Sequence, residues 1–119
     1  MLSERCKRRL IGVNEDLVSV VAMASEISPI RFIVTEGLRT PQRQAELLAK
    51  GASQTMNSKH ITGRAVDIAA VIDGKVSWHY PHYITMSKAF KQAASELGVR
   101  LRWGGDWKTF KDGPHYELL

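Results

Sequence analysis

The stretch SKHITGRAVDIAA, residues 58–70, decides how this chain is read. Its second half, Ala65-Val66-Asp67-Ile68-Ala69-Ala70, is an apolar, strand-like run interrupted by one carboxylate. Acids are depleted from strand interiors, and a carboxylate leaves water only when a partner offsets its lost hydration. Asp67 therefore either ligates a metal or pairs with Arg64 or Arg39. His60 lies seven residues upstream, an odd step, so on one flat strand the two side chains would face opposite sides. Thr62-Gly63 allows a turn or bulge that brings both inward.

Outward from this stretch, residues 65–72 read as a buried strand. Asp73-Gly74 is a hairpin signal, with Lys75-Val76-Ser77-Trp78 as the return strand. Upstream, Asn14-Glu15-Asp16 opens a helix, with Asn14 as cap and two acids at the positive end of its dipole. Leu17, Val20, Val21, Ala24 and Ile27 follow at helical spacing, and Pro29 ends the element. Arg31 to Thr35 is a β-branched, aromatic strand. Thr40-Pro41 caps a second helix that runs through Gln44, Leu47 and Leu48 to Gly51. A third helix is expected over residues 82–97, stopped by Gly98. Short strands at 100–103 and 115–118 close the chain. Helices mixed with antiparallel strands make an α+β domain, a small antiparallel sheet flanked by helices.

The C-terminal run WGGDWKTFKDGPHYELL adds Asp112 and His115. His60, Asp67 and His115 together form a set that suits zinc, which takes imidazole nitrogen and carboxylate oxygen and, in catalytic sites, keeps one position open. Asp112 stands three residues before His115 across Gly113-Pro114, which places a carboxylate beside such a metal. There it can take a proton from water and pass it to a leaving amine. The charge that develops on an attacked carbonyl needs a cation, and Arg39, between a strand and a helix cap, is the candidate. Each residue also has a plainer reading. His60 can be a hydrogen-bonded surface histidine, Asp112 a turn residue, His115 a core-edge residue and Arg39 a partner of Glu36. His79 and His82 flank Tyr80-Pro81 and read as surface loop residues.

Composition bounds the alternatives. A chain of 119 residues makes one domain with one core. No apolar run is long enough to span a bilayer, and the charged N-terminus lacks the apolar region of a secretory signal. The single cysteine, Cys6, excludes an internal disulfide and reads as an inert or mildly exposed thiol in a flexible basic terminus. The net charge of +5 suits an anionic partner such as nucleic acid, lipid or cell-wall polymer without choosing among them. No nucleic-acid-binding motif is present, so nucleic acid is not expected as a partner, nor is stable membrane insertion.

Three segments, EGLRTPQRQAELLAKGASQT, SKHITGRAVDIAA and WGGDWKTFKDGPHYEL, together resemble the L-alanyl-D-glutamate peptidases that phages use as endolysins. These belong with the D-Ala-D-Ala carboxypeptidase-like zinc peptidases and share a fold with the Hedgehog signalling domain. The resemblance implies zinc held by His60, Asp67 and His115, with Asp112 as catalytic acid/base. It implies that Arg39 stabilises an oxyanion or holds a substrate carboxylate, and that Gln44 and Ser58 line the substrate cleft. It implies cleavage of the L-Ala–D-Glu bond in peptidoglycan stem peptides. The metal residues are shared with D-Ala-D-Ala carboxypeptidases and with non-catalytic zinc-stabilised binding modules, so they do not separate these readings. Residues 1–119 are expected to be one catalytic domain without a cell-wall-binding domain, monomeric, kept in the host cytoplasm until a holin releases it to the periplasm and wall. No acidic cluster suggests calcium.

Overall fold

The computed structural model describes residues 2–52, 58–108 and 111–119. Residues 53–55, at the end of EGLRTPQRQAELLAKGASQT, and 109–110 of WGGDWKTFKDGPHYEL lie outside the described residues. The described chain forms four α-helices, α1 (Glu4–Arg9), α2 (Glu15–Ile27), α3 (Pro41–Ala49) and α4 (Tyr80–Leu97). Its strands are β1 (Phe32–Glu36), β2 (Ala65–Ile72), β3 (Lys75–Ser77), β4 (Leu101–Trp103) and β5 (His115–Leu118). All strand pairs are antiparallel in the order β1-β2-β5-β4, with β3 paired to the far end of β2. The expected α+β class is therefore the observed one.

Strand alternation divides the sheet into two faces. Val66, Ile68 and Ala70 of β2 join Phe32 and Val34 of β1 and Tyr116 and Leu118 of β5 in the apolar core. Helices α2 and α4 pack on one another and complete that core with Leu17, Val20, Val21, Ala24, Met86, Phe90 and Ala93. The Phe90 ring stands 5.1 Å from Phe32 and 3.9 Å from Tyr116, so one helix residue grips two strands. The intervening residues Asp67, His115 and Glu117 fall on the opposite face.

Local signals place these elements. Asn14 Oδ1 accepts from the Asp16 N–H and starts α2. Thr40 Oγ1 accepts from the Arg43 N–H and starts α3. Asp73 and Gly74 both adopt positive φ, as a tight hairpin between right-twisted strands requires.

Three expectations need correction, and α3 adds one detail. Helix α4 begins at Tyr80, with Pro81 in its first turn, where a missing N–H costs nothing. Tyr80-Pro81 and His82 are therefore helical, and His82 is half-buried while His79 stays exposed. In α3 only Gln44 is buried; Leu47 is half-buried and Leu48 exposed, so this helix contributes little to the core. Trp78 and Arg100 lie just outside the strands expected to hold them. The N-terminus is a helix, and Cys6 is buried in the core. There the Val34 N–H donates to Cys6 Sγ, and the Arg9 guanidinium donates to the Val34 carbonyl at 2.8 Å. β1 is an edge strand, and α1 satisfies backbone groups that would otherwise invite pairing with another chain.

Candidate metal centre and active site

Three neighbouring strands carry a row of polar side chains across the site face. Asp67 of β2 pairs directly with His115 of β5 on one side and with Glu36 of β1 on the other. The second pairing depends on a β-bulge between Val34 and Glu36. Without the shift, Thr35 would stand opposite Asp67. The bulge re-aims the strand end and puts a carboxylate in the row.

His60 comes from outside the sheet, on the turn that leads into β2. Gly63 gives that turn its positive φ of 71°, and a Cβ there would lie 2.4 Å from the Gly12 carbonyl oxygen. The turn docks on the segment between α1 and α2, where the Asn14 N–H donates to the Gly63 carbonyl at 2.8 Å. Ser58 Oγ accepts from the His60 N–H at 3.2 Å, and the His60 carbonyl accepts from the Arg39 N–H at 2.9 Å. The odd spacing between His60 and Asp67 is thus resolved by a turn.

His60 Nε2 lies 3.3 Å from Asp67 Oδ1, and His115 Nδ1 lies 3.1 Å from the same oxygen. All three ligand atoms fall within 4.8 Å of one another. Ligand atoms around a tetrahedral zinc sit roughly 3.3–3.5 Å apart, so the spacing fits. The outward nitrogens set the tautomers. His60 Nδ1 is 2.8 Å from the Gly37 carbonyl, and His115 Nε2 is 2.8 Å from Glu117 Oε1. A ring that donates outward keeps a lone pair facing inward, which is the state a metal ligand needs. Two lone pairs and a carboxylate aimed at one point call for a cation there.

The electrostatics agree. Burial pushes the Asp67 carboxyl up, but hydrogen bonds to His115 and His60 and their charges overcome this and hold it well below the usual carboxylate range. Burial pushes the His115 imidazole down; its bonds to Asp67 and Glu117 and the nearby carboxylate charges reverse this and raise it to about 9. Without a metal, a proton takes the position of the cation.

Asp112 reaches the site through a tight turn in which the His115 N–H donates to the Asp112 carbonyl at 3.1 Å. Burial, reinforced by the charge of Asp67, pushes its carboxyl up. Its placement explains the two glycines of the GGDW run. A Cβ on Gly104 would sit 2.3 Å from the Asp112 carbonyl oxygen, and one on Gly105 would sit 2.3 Å from the Trp103 ring. Trp103 Nε1 then donates to the Gly113 carbonyl at 2.7 Å and holds the turn.

Arg39 Nε and Nη2 bond the two Glu36 carboxylate oxygens at 2.8 and 2.6 Å, and Nη1 donates to Gln44 Oε1 at 2.6 Å. Its Nη2 also lies 3.6 Å from Asp67 Oδ2. Burial lowers the guanidinium pKa, but the bond to Glu36 outweighs it, so the group stays charged. The pairing with Glu36 and a position beside Asp67 therefore coexist. Gln44 is fully buried, and Ser58 is half-buried at the edge of the His60 turn. Arg64, the other possible partner of Asp67, instead donates to the Leu119 carbonyl.

The sequence reading passed over Glu117 and Gly37. Glu117 stands two residues from His115 on one strand and so shares its face, a signal visible once β5 is recognised. The Gly37 carbonyl carries no side-chain signal at all.

A family model described as phage L-alanyl-D-glutamate peptidase matches residues 1–119. The chain belongs to that family. The L-alanyl-D-glutamate peptidase of Escherichia phage T5 is 39% identical over 128 residues, covering 95% of this chain and 93% of the phage protein. The crystal structure of the Serratia marcescens L-Ala D-Glu endopeptidase ChiX superposes with a TM-score of 0.94 at 45% identity, covering 99% of this chain and 89% of that one. The vancomycin-resistance D,D-dipeptidase VanXYg is only 15% identical, covers 89% of this chain and 50% of its own, and matches with a TM-score of 0.56, which establishes a shared fold. The chain thus shares its fold with that D,D-dipeptidase.

Proposed function

We propose that this chain is a zinc-dependent endopeptidase that cuts the L-Ala–D-Glu bond of peptidoglycan stem peptides, acting as a phage endolysin in host lysis. The observation that carries the reading is the convergence of His60, Asp67 and His115 beside Asp112 in a member of a peptidase family.

His60 Nε2, Asp67 Oδ1 and His115 Nδ1 would hold the metal. Bound there, zinc supplies Lewis-acid activation of water and of the scissile carbonyl. Asp112 takes the proton from the attacking water and delivers it to the departing D-Glu nitrogen. Its raised pKa suits it to both halves of that transfer. Arg39, held by Glu36 and Gln44, keeps a fixed positive charge beside the site for the developing negative charge or a substrate carboxylate. Gln44 meets substrate through that guanidinium, and Ser58 lines the cleft beside His60. We assign residues 1–119 to one catalytic domain that works as a monomer. The excess of positive charge attracts the anionic wall polymer. Accumulation in the host cytoplasm and release by a holin complete the lysis reading.

The deciding experiment is mass spectrometry of a stem peptide, muramyl-L-Ala-D-Glu-diaminopimelate-D-Ala, incubated with the protein. The expected result is a cut after L-Ala, abolished by a chelator and restored by zinc. Loss of D-Ala alone would move the protein to carboxypeptidase chemistry. Zinc binding without any cleavage would leave a binding module.

A further inference from the structure

Of the two imidazoles at the site, His60 is oriented by a backbone carbonyl that no substitution removes. His115 is oriented by a side chain. That side chain, Glu117, is 8% exposed and sits on β5, a strand paired on both sides through Ala65 and Arg102. Its Oε1 contacts His115 Nε2 at 2.8 Å, and its Oε2 lies 3.4 Å from Lys59 Nζ. Lys59 also donates to the Leu118 carbonyl.

We infer that Glu117 and Lys59 form a positioning pair that fixes the ring of His115 for the metal. This deepens the zinc reading of the site and rests on it. A carboxylate buried against one neutral imidazole would be an uncompensated charge, which is costly. Lys59 Nζ, 3.4 Å from the second carboxylate oxygen, supplies the compensation. Glu117 Oε1, 2.8 Å from His115 Nε2, fixes the ring so that Nδ1 faces Asp67 and the site. Lys59 immediately precedes His60, so the same ion pair ties the turn that carries one ligand to the strand that carries another. Without it, the His115 ring samples both tautomers and both ring flips, and the metal must select one.

The test combines zinc affinity, by competition with a chromophoric chelator, with nitrogen-15 NMR of the histidine rings in zinc-loaded protein. The unaltered protein should bind zinc with His115 protonated at Nε2 and ligating through Nδ1. Glu117→Ala should lower zinc affinity about 10–100-fold, the usual effect of removing a carboxylate behind a metal-bound histidine. Glu117→Gln, which keeps an oxygen acceptor, should recover most of that loss. Lys59→Met should fall between Gln and Ala. A purely structural Glu117 would change the unfolding midpoint while leaving zinc affinity and ring protonation untouched.

Unchanged zinc affinity in a folded Glu117→Ala variant overturns the inference. Should that variant not fold, the unaltered protein still decides, because His115 ligating through Nε2 overturns the inference on its own. Unchanged affinity in Lys59→Met removes Lys59 from the pair. If the unaltered protein takes up no zinc, the metal reading itself fails and this inference falls with it. Zinc uptake with an indifferent Glu117→Ala sinks the inference alone.

Discussion

On the helix-covered face of the sheet, Val66, Ile68, Tyr116 and Leu118 are buried among apolar side chains. One residue away in each strand, on the opposite face, Asp67, His115 and Glu117 meet imidazole, carboxylate, ammonium and guanidinium groups. Two strands thus serve two purposes in alternation. The apolar face holds the strands together, and the polar face uses the resulting register to set distances between the candidate ligands. A single-residue slip would exchange the faces and destroy both at once. The comparison predicts that neighbouring substitutions fail in different ways, and the strongest tests push on that separation.

The largest separation is expected at Asp112→Asn. The amide is nearly isosteric but cannot take a proton from water. Activity on the stem peptide should fall by about 10²–10⁴, while zinc affinity and the unfolding midpoint of the zinc-loaded protein stay close to those of the parent. Paired kinetics and metal titration check this. Full activity in a zinc-loaded Asp112→Asn protein would remove Asp112 from the chemistry.

The complementary variant is Ile68→Ala, one residue from Asp67 and facing the helices. Ile68 is fully buried. Its truncation should cost about 2–5 kcal/mol of stability, read from denaturant midpoints, with activity per folded molecule preserved. A variant of normal stability and lost activity would show that the two faces are not separable in this way.

What the sequence made legible follows the same division. The strand at 65–72, the Asp73-Gly74 turn, the capped helices and the final strand all announce themselves through local periodicity or turn chemistry. Asp67 stood out because a carboxylate inside an apolar strand is unusual and demands a partner. The rest depends on contacts between distant segments. Helix α1 has six residues, four of them Arg or Lys, and makes sense only as cover for the edge of β1. The bulge that sets Glu36 opposite Asp67 leaves no local trace. Gln44, Leu47 and Leu48 stand at helical spacing, yet only Gln44 is buried, because α3 places little of its surface against the core.

Acidity offers a subtler way to part the two faces, because only the polar one titrates. In metal-free protein, His115 is raised from 6.5 to about 9. The stability it contributes is fully present below its unfolded value and is lost as pH rises through about 9. Asp67, depressed from 3.8, contributes stability above that value and loses it as pH falls. Asp112, raised by burial, adds a loss in the same direction as His115 as pH rises. The chelated protein should therefore be most stable between about pH 4 and pH 6.5 and weaken toward pH 9. Zinc reverses that slope, since binding requires His115 to give up its proton and so tightens over the same range. Thermal midpoints measured across pH with chelator and with zinc should diverge. Parallel curves would show that the metal does not compete with a proton at His115.

The smallest expected effect lies on the apolar face itself. Tyr116 stacks on Phe90 at 3.9 Å, and its hydroxyl is buried without a hydrogen-bond partner among the described residues. Burial and the charge of Asp106 push that phenol up, so it stays neutral. An unpaired buried hydroxyl costs free energy that a C–H of the same shape does not. Tyr116→Phe keeps the stack and removes the orphan, so stability should rise by about 1 kcal/mol, with activity and zinc affinity unchanged. A destabilised Phe variant would mean that the hydroxyl has a partner after all, such as a buried water. The face that appears purely apolar would then contain a polar contact of its own, and the contrast between the two faces would be one of degree.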